Sequence, residues 1–437
     1  MALRPCKGTT DVATSRHFFI NRAFGLLWSG QTISALGSHI TSSGIPLIAI
    51  LVLAAHPVQV GLLAALSALP SLFFSLFIGV WVDRLPRRPL LLLADLARAL
   101  LLLSLPILAL SGQLHMEQLY IVTVLLSACT LCFDTAYQAF LPQVVTRDQL
   151  VEGNSKLGTS SSLAEMSGPP LAGGLIQSLG APLAVLFDAL SFLVSALSIG
   201  LIRPHEIQPV TTAWKREAVW SEMHEGLSTL FGHPLLRKLA ISTTIRTYFG
   251  GAFAALYTIY IVRELHIVPV LYGVLVALGG VGALIGSLTV PRLTQRFGAK
   301  RTLLSGTLLH GFLALLTPLA RGPAPLVLAL LGISQLIGDI GFELYAINEI
   351  SLRQGSIPDH VQGRVGAVMG FLVSGIAPLG TVLAGIVSEY IGIRLTLLCG
   401  AGGMILIAVW LAFTLTSSRE EMGQRQSDSL WEDARGR

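Results

Sequence analysis

Long apolar stretches separated by short polar ones make up most of this chain of 437 residues. The stretch from Ala23 to Val82 contains no Asp, Glu, Lys or Arg. Apolar segments of about 20 residues, the length that crosses a bilayer as a helix, recur along the sequence. The period-two alternation of a membrane β-barrel is absent. The pattern predicts an all-α polytopic membrane protein with twelve spans, at 22–54, 58–82, 89–111, 117–141, 156–178, 182–202, 237–262, 270–291, 301–320, 325–351, 364–388 and 393–416.

The longest polar stretch between spans divides them into two sets of six. We expect six-helix bundles at 22–202 and 237–416, joined by a cytoplasmic linker at 203–236. A cytoplasmic N-terminal segment, 1–21, and a cytoplasmic polar tail, 417–437, flank them. In the linker, Val219, Met223, Leu227 and Leu230 follow helical spacing, which predicts an amphipathic helix on the membrane surface.

Similar segments occur in the two sets of spans. LAGGLIQSLG at 171–180 resembles LAGIVSEYIG at 383–392. DRLPRR at 83–88 resembles RFGAKR at 296–301, which is also basic. The two members of this pair are separated by nearly the same number of residues as those of the first pair. These matches indicate an internal duplication into two pseudo-symmetric halves. Such halves, with a binding site between them near the middle of the membrane, are typical of secondary transporters.

Charge is distributed unevenly between the two sides of the predicted bundle. The net charge is +5, but only 12% of the residues are charged and 53% are hydrophobic. With the N-terminus in the cytoplasm, 24 of the 29 Lys and Arg residues fall in cytoplasmic segments, as the positive-inside rule requires. We therefore expect a multi-pass protein of a prokaryotic plasma or inner membrane with both termini in the cytoplasm. This distribution argues against a nucleic-acid partner.

The loop after the second span reads GVWVDRLPRRP. It resembles the G-x-x-x-D-R-x-x-R-R signature of the major facilitator superfamily. FDTAYQAFLPQVV, SGPPLAGGL, LFGHPLLRKL and IPDHVQGRVGAV further resemble its exporter branch, which contains macrolide-efflux and enterobactin-exporter-like permeases. The resemblance covers about residues 20–415 and implies the major facilitator fold and transport by alternating access. The signature residues, which the resemblance implies have a role in gating, are Gly79, Asp83, Arg84, Arg87 and Arg88.

Two segments depart from the family pattern. The second copy of the signature, RLTQRFGAKR, keeps the basic residues but lacks the aspartate. In the fifth span, one residue more than in the antiporter motif of drug exporters separates the Gly-Pro pair from the Gly-Gly pair. Proton antiport is therefore suggested by only part of that motif. Its residues, of which the prolines are expected to bend the helix, are Gly168, Pro169, Pro170, Gly173 and Gly174.

Ionisable side chains fall inside the predicted spans, where each is costly unless it has a function or a partner. The spans contain six acids and two arginines, so several acids have no basic partner. A carboxyl group in a medium of low dielectric constant favours its protonated form, and these acids are therefore candidate proton carriers. The alternative is that they stay protonated and hold helices together by hydrogen bonds. The eight side chains are Asp95, Arg98, Asp134, Glu165, Asp188, Arg246, Asp339 and Glu343.

Two groups among them are predicted from spacing. Asp95, Arg98 and Asp134 lie at similar depths on the third and fourth spans, which predicts a cluster that acts as a proton relay or as a structural clasp. In the tenth span, Asp339 and Glu343 share one helix face with Gln335.

Two acids one turn apart disfavour joint ionisation, so one of Asp339 and Glu343 is expected to hold a proton. We expect Arg246 on the seventh span to neutralise the other. The alternative is a stripe of structural polar residues.

Asp83 is expected to face the start of the eleventh span through the pseudo-symmetry. There the positive end of the helix dipole would stabilise the Asp83 carboxylate. This contact would hold the cytoplasmic side closed in the outward-open state. Ser356 is expected to cap that helix and Pro358 to occupy its first turn. The segment also contains Asp359, Gly363 and Arg364.

The sequence contains no P-loop, no nucleophile–base pair and no set of metal ligands beyond a lone Cys129-x-x-Cys132. We therefore expect no catalytic residue, no cofactor and no metal. The expected function is proton-coupled efflux of small amphipathic molecules, drug-like, macrolide-like or siderophore-like, by a monomer in the lipid bilayer. The alternatives are an importer or facilitator of nutrients or metabolites with the same fold, and a membrane enzyme or sensor that does not transport.

Overall fold

The computed structural model describes residues 22–82, 85–146, 149–202 and 216–435, and within those ranges it is helical without β-strands. The helices are α1 Arg22–Leu47, α2 Pro57–Val82, α3 Arg87–Leu110, α4 Met116–Val144, α5 Leu150–Leu179, α6 Ala181–Leu201, α7 Arg216–Gly232, α8 Pro234–Ile259, α9 Pro269–Phe297, α10 Ala299–Ala314, α11 Leu316–Leu319, α12 Ala324–Gln354, α13 Asp359–Ile391 and α14 Ile393–Arg435.

The predicted spans correspond to these helices, so the predicted all-α fold is confirmed. The ninth span comprises α10 and α11, and α7 lies in the linker. In the described residues, 11 helical segments are long and apolar enough to cross a membrane, and α5 is not among them. It packs along α1, α6 and α9 at the place of the predicted fifth span. Its polar residues, such as Glu165, can therefore face other helices. The last helix continues past its apolar part, through the predicted polar tail to Arg435.

The π turns and the residues with positive φ angles occur in pairs. The members of each pair are separated by the same number of residues as the similar segments of the sequence, in agreement with the duplication. A π turn at Ile48–Val52 extends α1, and one at Tyr260–Glu264 extends α8. We call α1–α6 the N half and α8–α14 the C half. The end of the bundle where α1 begins is the linker end, and the opposite end is the far end. Positive φ angles recur at the same interval, at Ala54 (48°) and His266 (52°), and at Gly180 (86°) and Gly392 (85°).

The N half and the C half meet closely at the far end, where α2 crosses α13. A Cβ on Gly61 would stand 2.6 Å from the carbonyl oxygen of Thr381, and one on Gly385 would stand 3.0 Å from that of Pro57. These backbones can approach only because neither glycine carries a side chain.

The same contact recurs where α5 crosses α9. There Gly273 lies against the carbonyl of Pro169, and Gly173 lies against the carbonyl of Pro269. Each of these four residues is the duplicate of one residue in the first crossing. The far end is therefore closed by two equivalent helix crossings.

Towards the linker end both crossings widen. A Cβ on Gly375 of α13 would stand 3.7 Å from Leu72 of α2, and one on Gly280 of α9 would stand 3.8 Å from Glu165 of α5. The bundle is thus closed by backbone contact at the far end, whereas towards the linker end the helices meet through side chains at these two positions.

Hydrogen bonds also join the halves at the far end. Arg263 of the π turn after α8 donates to the carbonyls of Ala55 (2.9 Å) and Ile50 (3.3 Å), which lie after and within the π turn that extends α1. A cation is stabilised at the negative end of a helix dipole. The amide of Val270 donates to Gln177 over 3.4 Å.

Valine at Gly273 is expected to keep the far end from closing, because its side chain would overlap the Pro169 carbonyl. Overpacking of about 1–3 kcal/mol corresponds to a shift of about 5- to 150-fold towards a far-end-open state. Spin-label distances between the far ends of α2 and α13 measure that population, with G61V as the equivalent variant. G158V is the control, since a Cβ on Gly158 meets nothing within 4 Å. Unchanged distances in folded G273V would contradict this gate.

The linker contains a helix, α7, as predicted, but part of its apolar face is buried in the protein. Leu230 is fully buried in a core that includes Val365 of α13. Glu225 forms an ion pair with Arg364, and a Cβ on Gly226 would stand 2.8 Å from the Arg364 carbonyl oxygen. The described part of α7 is therefore attached to the C half.

Candidate functional site

Two cavities lie side by side in the middle of the bundle. One, of about 550 Å³, is bounded by α1, α2, α4 and α6 and contains Asp134 and Asp188. The other, of about 500 Å³, is bounded by C-half helices and contains Arg246 and Asp339. We call them the N-half cavity and the C-half cavity. They meet at Ala254 of α8, which lines both. Their volumes suit small-molecule ligands.

A buried charge cluster lies behind the N-half cavity. Arg98 donates a hydrogen bond to Asp95, and both side chains are almost wholly inaccessible, at 4% and 0% exposure. The Arg98 guanidinium lies 4.1 Å from the ring centres of both Phe133 and Phe192. Two aromatic faces and one carboxylate therefore hold this cation in place.

Two further acids lie near this cation. Arg98 acts electrostatically on both Asp134 and Asp188. Asp188 accepts a hydrogen bond of 2.9 Å from Ser191. Among the described residues, the Oδ2 atoms of Asp95 and Asp188 have no hydrogen-bond partner. Three carboxyl groups therefore share one guanidinium, with the hydroxyls of Ser195 and Thr41 beside Asp95 and Asp188.

The acids of α12 lie on one face, as their spacing predicts. A Cβ on Gly279 of α9 would meet the Asp339 carboxylate and would stand 3.4 Å from Nε2 of Gln335. One on Gly286 would stand 2.8 Å from Cβ of Glu343. Glycines of α9 therefore leave the space that these polar side chains occupy.

The prediction that Arg246 neutralises Asp339 or Glu343 is wrong. Its guanidinium lies 4.4 Å from the ring centre of Tyr345 and 4.9 Å from that of Phe342. Its electrostatic partners are Tyr345 and Glu349, and it forms no ion pair within the described chain. The physical reason is that the Arg246 guanidinium lies over the rings of Phe342 and Tyr345, whereas Asp339 and Glu343 lie against glycines of α9.

Glu349 is a buried acid of the tenth span that the sequence analysis overlooked. It is 5% exposed and pairs with Arg353 over 3.2 Å. The spacing of Glu349 and Arg353, one helical turn apart, is the signal that identifies such a pair. Asn348 beside it accepts a 2.9 Å hydrogen bond from Thr294 and so ties α12 to α9.

Acids of both halves converge where α5 passes α9. The charge of Glu165 acts on Asp339 and Glu343, and also on His39 of α1. The Glu165 side chain is exposed in the crevice that opens towards the linker end. A carboxylate of the N half therefore faces two carboxyl groups of the C half, and their separation depends on how the halves are arranged.

The sequence model of the transmembrane secretion effector family matches residues 14–434. The chain belongs to this family of the major facilitator superfamily. It is a membrane transporter with several spans in the cell membrane, and transporters of this family bind small-molecule substrates.

Relatives of this transporter span most of its length. It is 29% identical over 362 residues to the multidrug efflux pump Tap of Mycolicibacterium fortuitum, across 80% of this chain and 86% of that one. It is 26% identical over 397 residues to the uncharacterized MFS-type transporter YfiS of Bacillus subtilis, across 86% and 89% of the two chains.

Solved structures share the fold. A bacterial homologue of the iron transporter ferroportin, in an inward-facing state, matches with a TM-score of 0.72 at 19% identity, over 90% of this chain and 98% of that one. The nucleoside transporter NupG matches with a TM-score of 0.68 at 12% identity, over 90% and 99% of the two chains. At these identities the likeness shows the fold alone.

The fifth-span motif of the transporter lies at helix contacts. Gly168 packs against His39 of α1, and a Cβ on Gly174 would stand 3.7 Å from the Val270 side chain of α9. Pro169 and Gly173 form the far-end crossing, and α5 continues as one helix through Pro169 and Pro170.

The signature loop of the transporter is described in part. Asp83 and Arg84 lie outside the described residues, and Gly79 lies in α2. Arg87 donates to the Ala139 carbonyl of α4 over 2.9 Å. Arg88 donates to the carbonyls of Ile199 (3.3 Å) and Gly200 (2.5 Å), at the end of α6. Beyond their charge, these arginines therefore bind helix ends within the N half.

The start of α13 differs from expectation in two respects. Ser356 does not cap α13, because its hydroxyl donates to the Leu352 carbonyl over 2.6 Å at the end of α12. Pro358 occupies the N-cap position, and the helix begins at Asp359. A Cβ on Gly363 would meet nothing within 4 Å, whereas Arg364 pairs with Glu225 of α7.

Proposed function

We propose that this transporter is a proton-coupled exporter of small amphipathic molecules. The observation that carries the proposal is the convergence of Glu165 from the N half with Asp339 and Glu343 from the C half. Carboxyl groups held close together disfavour joint ionisation, so the group binds protons while the halves are arranged in this way. Rocking of the halves changes the distance from Glu165 to the other two and thereby favours release of the proton.

The cavities support an amphipathic substrate. Apolar and aromatic side chains such as Phe192, Phe253 and Phe342 line them together with a few polar groups. The excess of carboxyl groups over guanidinium groups favours substrates that carry an amine. The relative from Mycolicibacterium fortuitum, whose name is multidrug efflux pump, is consistent with such substrates.

The distribution of basic residues supports an orientation with the linker end in the cytoplasm. With that orientation, the described arrangement is inward-facing, and a substrate reaches the cavities from the cytoplasmic side. For Asp83, we propose the role in a cytoplasmic gate that its signature motif implies. We expect D83N to weaken the outward-open state by about 1–2 kcal/mol, a population change of about 5- to 30-fold in spin-label distances at the linker end.

Dye flux in vesicles tests the proposed function. Everted vesicles from expressing cells, energised by a proton gradient, are expected to accumulate Hoechst 33342, and collapse of the gradient is expected to stop it. Accumulation only in right-side-out vesicles would indicate an importer. Flux that is insensitive to the gradient would indicate a facilitator. If no compound of a toxic panel shows gradient-driven flux, the proposed function is wrong.

A further inference from the structure

A third cavity opens between the halves at the side of the bundle. On the linker-end side of the contact between Leu72 and Gly375 lies a space of about 640 Å³, lined by α2, α13 and α7. We call it the lateral cleft. Its lining is mostly apolar and includes Leu72 of α2, Val368, Phe371 and Leu372 of α13, and Met223 and Leu227 of α7.

The lateral cleft lies at the depth of the hydrocarbon core. Leu72 precedes the linker end of α2 at Val82, and Phe371 follows that of α13 at Asp359. At about 1.5 Å per residue, these positions lie about 15 Å and about 18 Å along their helices. A bilayer core is about 30 Å thick, so both positions fall within its depth, and Phe371 is 49% exposed there.

The floor of the lateral cleft is α7, which belongs to the C half. The ion pair between Glu225 and Arg364 and the buried Leu230 attach α7 to α13. Met223, His224 and Leu227 face the cleft from this floor. Because α7 and α13 are held together, a closure of the halves at the linker end would bring both against α2 and narrow the cleft.

The lateral cleft adjoins the acid-lined cavities. Ser71 of α2 lines both the lateral cleft and the N-half cavity. Ala254 in turn lines both the N-half cavity and the C-half cavity. Three spaces therefore follow one another from the lipid-facing side of the bundle to Asp134 and then to Asp339.

The pseudo-symmetry shows that the fold itself does not require the apolar lining. Under the duplication, the positions of Ala367, Val368, Phe371 and Leu372 correspond to Ser155, Lys156, Thr159 and Ser160 of α5. The α5 wall of the equivalent crevice between α5 and α9 is therefore more polar in sequence than the α13 wall of the lateral cleft. The difference indicates a ligand with a large apolar part.

We propose that the lateral cleft is the path by which an amphipathic substrate dissolved in the linker-side leaflet reaches the cavities. Its apolar part packs against Phe371 and Leu227, while its polar or cationic part passes Ser71 towards Asp134. This proposal rests on the proposed function, since the molecule that passes is the exported substrate.

Matched tryptophan variants test the path. S374W places an indole in the lateral cleft, and S162W places one at the equivalent position of α5. We expect S374W to slow accumulation of Hoechst 33342, a dye that partitions into membranes, by about tenfold or more in everted vesicles, because overpacking narrows the cleft. S162W is expected to stay within about twofold of wild type. A general block of closure at the linker end would slow both variants equally and would overturn the proposal.

Photolabelling of the wild-type protein provides a readout without transport. A lipid-soluble aryl-azide amine in de-energised proteoliposomes is expected to label peptides at 223–227 and 367–374, and excess Hoechst 33342 is expected to suppress that labelling. Labelling that the dye does not suppress would indicate a resident lipid, and absence of labelling would indicate another path. Either result overturns the proposal. Suppressible labelling without gradient-driven flux would instead support the cleft and contradict the proposed function.

Discussion

The double variant D339N/E343Q is expected to abolish proton-driven export. Both substitutions keep the shape of the side chain and remove the group that binds the proton. Asp339 and Glu343 lie against Gly279 and Gly286 of α9, where the space suits side chains of that size. Loss of a proton-transferring group commonly costs about 100-fold or more in rate. Dye accumulation driven by a pH gradient in proteoliposomes measures the effect.

Binding should survive in this variant, because the cavities keep their shape. Quenching of dye fluorescence in the absence of a gradient measures it and separates loss of coupling from loss of substrate. E152Q is the matched control, since Glu152 is an exposed acid that pairs with Lys156 over 3.2 Å. E165Q should also weaken the coupling of export to protons, because Glu165 is the carboxylate of the N half that faces Asp339 and Glu343. If D339N/E343Q transports like wild type, the acids of α12 are structural.

The second large effect is expected at Arg98. R98M should lower the free energy of unfolding by about 3–5 kcal/mol, because it leaves the Asp95 carboxyl buried without its cation. The contacts of the guanidinium with Phe133 and Phe192, each at 4.1 Å, add to the loss. The unfolding midpoint of the detergent-solubilised protein measures it. K156M, which breaks the exposed pair with Glu152, should cost about 1 kcal/mol or less.

The double variant D95L/R98M separates a clasp from a relay. Replacing both partners of a buried ion pair by apolar groups is often neutral or stabilising, so its midpoint should recover most of the loss in R98M. A stable and active double variant would assign Asp95 and Arg98 a structural role. A stable variant without gradient-driven export would assign them to the proton path. A double variant as unstable as R98M would contradict the assumption that Asp95 is the group left unpaired.

Local pattern predicted a large part of this molecule. Span length and the positions of Gly, Pro and charge identified the helices, because a helix in lipid must satisfy its own backbone and present apolar side chains. The duplication appears in the sequence and recurs in the π turns and positive φ angles of both halves. The shared face of Asp339 and Glu343 followed from helical period alone.

Only the tertiary structure decided which helices these faces meet. Helical period determines the angle between two side chains on one helix, but not the rotation of that helix against its neighbours. Arg246 therefore lies with Tyr345 and Glu349, and Ser356 binds the end of α12. The convergence of Glu165 with the acids of α12 has the same origin. It depends on the α5–α9 crossing, where Gly173 and Gly273 let the backbones touch. Long-range packing of this kind leaves no period in the sequence, whereas spans, duplication and helix faces do.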